Sequence, residues 1–129
     1  MSYDFTTRIS GSFDEVLESV IQRLANEGFG ILTQIDVQAT LKKKLGVDFR
    51  KYVILGACNP PFAYRALQAE PKIGLMLPCN VVVDELAPVE IEVSAIDPVA
   101  SMTAVTNPDL EPIAKEIRQK LKGVIESLK

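Results

Sequence analysis

The chain has 129 residues, of which 47% are hydrophobic, and it carries a formal net charge of −3. This length and composition indicate one folded domain over residues 1–129, whose core needs no metal or disulfide for stability. The acidic balance argues against nucleic-acid binding, and the absence of histidine excludes catalytic triads, cysteine–histidine pairs and histidine metal ligands.

The first predicted elements are a strand and a helix. Residues 3–9 alternate apolar and polar side chains, which is typical of a half-buried strand. Ser12 and Glu15 then form a capping-box pattern, and the apolar side chains of residues 13–24 recur at helical spacing. Gly28 can take the left-handed conformation that ends a helix. We therefore expect a strand followed by an amphipathic helix.

The middle of the chain predicts two strands separated by a short helix. Residues 29–35 alternate again, with Phe, Ile, Thr and Ile on one side, which indicates a second strand. Residues 36–46 form a short helical pattern that ends at a glycine. Residues 52–58 are continuously apolar and predict a strand buried on both faces. Gly56 within this run indicates a bulge or a close backbone approach.

The second half predicts a helix, a hairpin and a long final helix. Asn59 followed by Pro60 is typical of a helix start, with the asparagine as cap, and Pro71 marks its end. Two alternating apolar runs flank the short loop 86–88 and predict an antiparallel hairpin. Residues 110–128 carry a strong apolar stripe at helical spacing.

The predicted order is β-α-β-α-β-α-β-β followed by α. Together with the alternation of the outer strands, this order indicates an α+β two-layer sandwich, in which a mostly antiparallel sheet packs against long helices. One face of the sheet is expected to be covered by helices and the other to be less buried. A partly apolar open face would favour pairing of the chain with itself.

A Cys-Asn pair occurs twice, at the end of one predicted strand and at the start of another. If these strands run antiparallel, both pairs lie at the same end of the sheet, near the amino end of the Pro60 helix. Free amides there favour an anion or a thiolate. The candidate site residues are Cys58, Asn59, Pro60, Pro78, Cys79 and Asn80.

Three interpretations of this corner are open. The cysteines can be small buried hydrophobes with the asparagines as caps or turn residues. The same groups can line a site for a small ligand. Finally, Cys58 and Cys79 can form a reversible disulfide or bind a soft metal as two thiolates, although two sulfurs are only half of a structural zinc set.

The two motifs, residues 52–60 and 75–83, resemble the family catalogued as domain of unknown function 302. The resemblance extends to the amino-terminal strand, the capped helix and Gly28, and so covers nearly the whole chain. It implies a fold like the TATA-binding-protein superfamily, with an antiparallel sheet gripping a long helix, often as a homodimer, and it implies no activity. Members of that family keep the features around Asn59 and Pro78 without the cysteines, which favours ligand binding over obligate thiol chemistry.

We therefore expect a non-catalytic domain that binds a small ligand or acts as a sensor through the two Cys-Asn segments. The alternatives are a thiol-redox or metal-handling protein that uses Cys58 and Cys79, and a purely structural domain that pairs with itself or with another protein. We expect no cofactor and no nucleic-acid partner. The sequence contains no apolar stretch long enough to span a bilayer and no signal-peptide pattern, so we expect no membrane partner and a cytoplasmic location.

Overall fold

The computed structural model describes residues 2–129 of the chain. Its strands are β1 (Asp4–Ser10), β2 (Gly30–Asp36), β3 (Tyr52–Cys58), β4 (Cys79–Ala87) and β5 (Glu90–Ile96). Its α-helices are α1 (Phe13–Asn26), α2 (Val37–Leu45), α3 (Pro60–Ala69), α4 (Pro98–Ser101) and α5 (Glu111–Ser127). Two 3₁₀ helices span Pro71–Met76 and Pro108–Leu110. Among the helices described, none combines the length and apolar character needed to cross a membrane.

The five strands form one antiparallel sheet in the order β1-β5-β4-β3-β2. The predicted α+β architecture and the β4–β5 hairpin are therefore confirmed. The hairpin turn begins two residues later than predicted and ends one residue later, because Ala87 pairs with Glu90 and leaves Pro88 and Val89 as the two-residue turn. Val89 has φ 62°, the left-handed region that a β-branched residue rarely adopts.

Two clusters of buried side chains form the core. The main cluster lies between the sheet and helices α1 and α5, and includes Val20, Leu55 and Leu121, each with 0% exposure. Burial of such aliphatic side chains contributes about 1.5–3 kcal/mol each, so this cluster holds the helices on the sheet. A second cluster joins α3, the Pro71–Met76 helix, α4 and the start of α5. Its buried members are Ala66, Ile73, Met102, Leu110, Ile113 and Ala114.

The start and end of α1 match the sequence pattern. Ser12 Oγ accepts a hydrogen bond from the Glu15 amide at 3.2 Å, which satisfies a free donor of the first turn. At the other end Gly28 has φ 87° and donates its amide to the Ala25 carbonyl. The left-handed conformation costs little for glycine, and it turns the chain into β2.

Strand β3, second from one edge of the sheet, is buried along one face, whereas its other face is buried only at Gly56, so the prediction of burial on both faces is confirmed only in part. Val53, Leu55 and Ala57 point at the helices and are buried, whereas Tyr52 and Ile54 are only half-buried. The latter two belong to the open face, which we define as the sheet surface away from α1 and α5. A continuous apolar run does not distinguish a covered sheet face from a bare one, because periodicity is lost when both faces carry apolar residues.

Strand β2 is an edge strand with an irregularity that its alternation did not predict. Ile31 pairs with Ala57 and Thr33 with Gly56, so Leu32 is an extra residue in the ladder. Because of the bulge, each residue that follows it in β2 points to the opposite face of the sheet from the one that simple alternation predicts. Ile31 therefore shares a face with Ala57, while Ile35 pairs with Ile54 on the open face.

Candidate functional site

The two Cys-Asn segments meet at one end of the sheet, as antiparallel strands require. Ala57 pairs with Cys79 and Gly56 pairs with Asn80, so Cys58 and Cys79 lie on neighbouring strands one position out of register. The Leu77–Pro78 peptide bond that leads into β4 is cis. This is the meeting of strand ends on which the sequence-based hypothesis depended.

A cavity of about 300 Å³ opens beside this end of the sheet. It lies between the sheet end, α3, α4 and the first turns of α5. Four of the six predicted residues line it: Cys58, Asn59, Pro78 and Cys79. The remaining lining is almost entirely apolar and consists of Phe29, Leu32, Ala57, Phe62, Ala63, Ala66, Leu67, Gly74, Leu77, Met102, Ile113, Ala114 and Ile117. We call this space the first cavity.

Asn59 is buried in the cavity wall but does not cap α3 with its side chain, so that part of the prediction is wrong. Its Nδ2 instead donates to the Glu27 carbonyl at 3.1 Å. The last carbonyls of a helix lack partners within the helix, and the Asn59 amide satisfies one at the end of α1. A Cβ at Gly28 would lie 3.1 Å from Nδ2, so this glycine leaves room for the amide.

Pro78 lies against β3 at Gly56, where the glycine within the strand predicted a close approach. A Cβ placed on Gly56 would overlap Thr33 Oγ1 and would lie 2.8 Å from Pro78 Cγ. Real Cβ atoms essentially never come this close to another heavy atom. Glycine at this position therefore lets Pro78 pack over the sheet and form part of the cavity wall.

Pro60 and Asn80 lie outside the first cavity. Pro60 is exposed in the first turn of α3. Asn80 is exposed and lines a trough on the open face, together with Tyr52 and Asp84. Successive residues within a strand point to opposite faces, and Asn80 points to the open face while Cys79 points to the covered one. The predicted convergence of two amides is therefore not found.

The two thiols are free and differ in exposure. Cys79 is buried and Cys58 is half-buried. Burial and, to a lesser extent, the nearby Cys58 together raise the pKa of the Cys79 thiol from 9.0 to about 11. Cys79 is thus a protonated, weakly nucleophilic thiol at neutral pH. Within residues 2–129 no three Cys, Asp or Glu side chains lie close enough together to hold a metal ion.

Sequence reasoning missed the side of the cavity that the helices provide. Met102 directly follows α4, and Ile113, Ala114 and Ile117 come from α5. The apolar stripe of α5 predicted that these residues face inward, but it did not show which of them would meet the strand ends. That depends on how α3 and α4 pack across α5.

The family is settled by a match over nearly the whole chain. A family model described as "Domain of unknown function DUF302" matches residues 5–128. This chain belongs to the DUF302 family. The crystal structure of an uncharacterized conserved DUF302 protein from Bacillus stearothermophilus has 30% sequence identity and a TM-score of 0.91, with 100% of each chain covered. No curated protein matches the chain significantly.

Proposed function

We propose that this domain binds a small, mostly apolar molecule in the first cavity, without catalysis. The observation that carries the proposal is the cavity itself, about 300 Å³ of space beside a corner where a closely packed core would be expected. A cavity lined by aliphatic and aromatic side chains is poorly solvated, and apolar molecules enter such spaces readily. Its volume is at the lower end of the range for small-molecule sites.

The lining also indicates the charge of the ligand. Of the described residues that line the first cavity, none is Asp, Glu, Lys or Arg. Transfer of an unpaired ionic group into such a space costs several kcal/mol, so an uncharged ligand is favoured. Nδ2 of Asn59 donates one of its two hydrogens to the Glu27 carbonyl, which leaves Oδ1 and the second N–H as the groups of this amide that can meet a ligand hydroxyl. Using the share of about 30 Å³ that one water molecule occupies, the cavity holds about ten carbon-sized groups.

Thermal unfolding in the presence of 1-octanol tests the proposal. A ligand at ten times its dissociation constant stabilises the folded state by about 1.4 kcal/mol, which raises the melting temperature by several degrees. Ala63→Phe places a ring in the first cavity and should abolish this rise. Ala25→Phe is the matched control, because Ala25 is an exposed alanine of α1 that does not line the cavity. An equal rise in the wild type and in Ala63→Phe would refute binding at this site.

A thiol function is the weaker candidate. Cys58 is half-buried at the cavity and could be reached by a reagent, but burial keeps its neighbour Cys79 protonated at neutral pH. A redox pair normally contains at least one thiol whose pKa is lowered. Two free cysteines suit the reducing conditions of the cytoplasm, where we propose that the protein resides.

We also propose that the chain forms a homodimer through the open face. The strand pairing places Ile35, Ile54 and Val82 in one row across β2, β3 and β4. Ile35 is 45% exposed and the other two are half-buried, so a second copy could cover a continuous aliphatic row. Light scattering should give a dimer mass for the wild type and a monomer mass for Ile54→Arg. Leu75→Arg, at an 83% exposed position outside the sheet, should stay dimeric.

A further inference from the structure

A second cavity, of about 390 Å³, lies directly beside the first. It is bounded by the end of α4, the Pro108–Leu110 segment and the outer side of α5. Two side chains, Met102 and Ala114, line both cavities and so form the wall between them. We propose that the ligand is a straight aliphatic chain with an uncharged polar head, which runs through this wall and occupies both cavities. This inference rests on the function proposed above.

The wall can open because of the residues that form it. Ala114 is buried and projects only a methyl group. Met102 is 9% exposed, and its unbranched thioether chain has three rotatable bonds, so it can change conformation without movement of the backbone. A rotation of Met102 away from Ala114 would join the two spaces into one elongated channel. A single methylene chain needs a smaller opening than a branched or ring-shaped ligand, so it would pass more readily.

The two cavities differ in polarity, and this difference orients the ligand. The first has almost only apolar side chains, as described above. The second includes the hydroxyl of Thr106 and the ion pair between Lys115 and Glu111, whose Nζ and Oε1 atoms are 2.8 Å apart. The chain therefore belongs in the first cavity and the polar head in the second.

The head is expected to be uncharged because the second cavity presents a cation and an anion together. Lys115 and Glu111 are both well exposed and form a pair one helical turn apart. A hydroxyl can accept from Lys115 or donate to Glu111, whereas a charged head would meet one attractive and one repulsive group. Fatty alcohols and neutral acyl esters fit this description.

The test measures the affinity of n-alkanols from hexanol to tetradecanol by calorimetry or by displacement of a fluorescent probe. Each added methylene should raise the affinity about fourfold, which corresponds to 0.8 kcal/mol for each buried methylene. If the ligand is confined to the first cavity, the affinity should stop rising at about ten carbons. If it spans both cavities, the affinity should continue to rise with longer chains. A plateau at eight to ten carbons would overturn the two-cavity ligand but leave the proposed function standing. No binding of any alkanol would overturn the proposed function itself.

Variants of Met102, in the wall between the two cavities, test whether this side chain controls passage of the ligand. Met102→Ile keeps the volume but stiffens the side chain, and should weaken tetradecanol binding at least tenfold while octanol binding stays within twofold. Met102→Ala should restore the affinity for the long chain. If Met102→Ile lowers the affinities for octanol and tetradecanol equally, Met102 does not control passage between the two cavities. Tighter binding of dodecanoate than of dodecanol would contradict the uncharged head.

Discussion

The buried thiol of Cys79 gives a prediction that can be worked out in free energy. Its pKa is raised from 9.0 to about 11 in the folded protein, mainly because burial disfavours the thiolate. Between these two values the unfolded chain loses the proton and the folded chain keeps it. The unfolded state then binds fewer protons, so the free energy of unfolding falls as the pH rises. The contribution is complete below about pH 8 and is lost progressively above it.

The size of this loss follows from the two pKa values. One unit of pKa shift corresponds to 1.36 kcal/mol, so the wild type should lose about 1.4 kcal/mol by pH 10 and about 2.3 kcal/mol by pH 11 from this group alone. Lysines and tyrosines titrate in the same range, and the Cys79→Ala variant corrects for them. Only the difference between the two pH profiles is compared, because the substitution also lowers stability at every pH by removing a buried sulfur.

Urea unfolding curves at half-unit steps from pH 7 to pH 11 provide the measurement. The wild-type profile should fall more steeply than that of Cys79→Ala above pH 9. Cys58→Ala should still show most of the steep fall, because Cys58 is the smaller of the two causes of the shift. Parallel profiles for the wild type and Cys79→Ala would refute the buried, protonated thiol. Fast alkylation of Cys79 in the native protein at pH 7.5 would refute it as well, and would favour the redox alternative.

Three substitutions test the local geometry by urea unfolding. Asn59→Ala should lower the free energy of unfolding by about 1–2 kcal/mol, because the Glu27 carbonyl loses its buried donor; a loss below about 0.3 kcal/mol would contradict this role. Gly56→Ala should cost about 1–3 kcal/mol through overpacking. Gly30→Ala, where a Cβ meets nothing within 4 Å, is its control and should cost clearly less. Val89→Asn should stabilise the protein by about 1 kcal/mol, because asparagine tolerates the left-handed turn position; no gain, or a gain equalled by Val89→Ala, would show that backbone strain is not the cause.

The role of Asn59 changes how its ligand contact must be tested. As a candidate ligand-binding residue, Asn59 would ordinarily be tested by removing its side-chain amide and measuring the loss of ligand stabilisation. In the structure the same amide joins the end of α1 to the start of α3, so Asn59→Ala weakens the fold and the site together. Cavity-filling at Ala63 separates the two effects, because that residue lines the cavity and takes part in no side-chain hydrogen bond.

Local patterns determined most of the architecture. The order of the strands and helices, the capping of α1 by Ser12, the end of α1 at Gly28 and the β4–β5 hairpin all follow from short-range signals. Such signals are reliable because alternation, helical spacing and caps reflect backbone geometry that each segment carries with it. Even the meeting of the two Cys-Asn segments follows from sequence, since antiparallel strands must bring the end of one beside the start of the next.

Tertiary packing alone decided which of these side chains face a common space. The sequence could not show that Asn80 turns to the open face, that a bulge at Leu32 reverses the end of β2, or that Met102 and Ala114 complete the cavity. These features depend on contacts between segments far apart in the chain, and the periodic pattern of one segment does not show which other segment it contacts. The corner could be predicted once the two strands were taken to run antiparallel, as the structure confirms, whereas its cavity arises from the packing of helices across it.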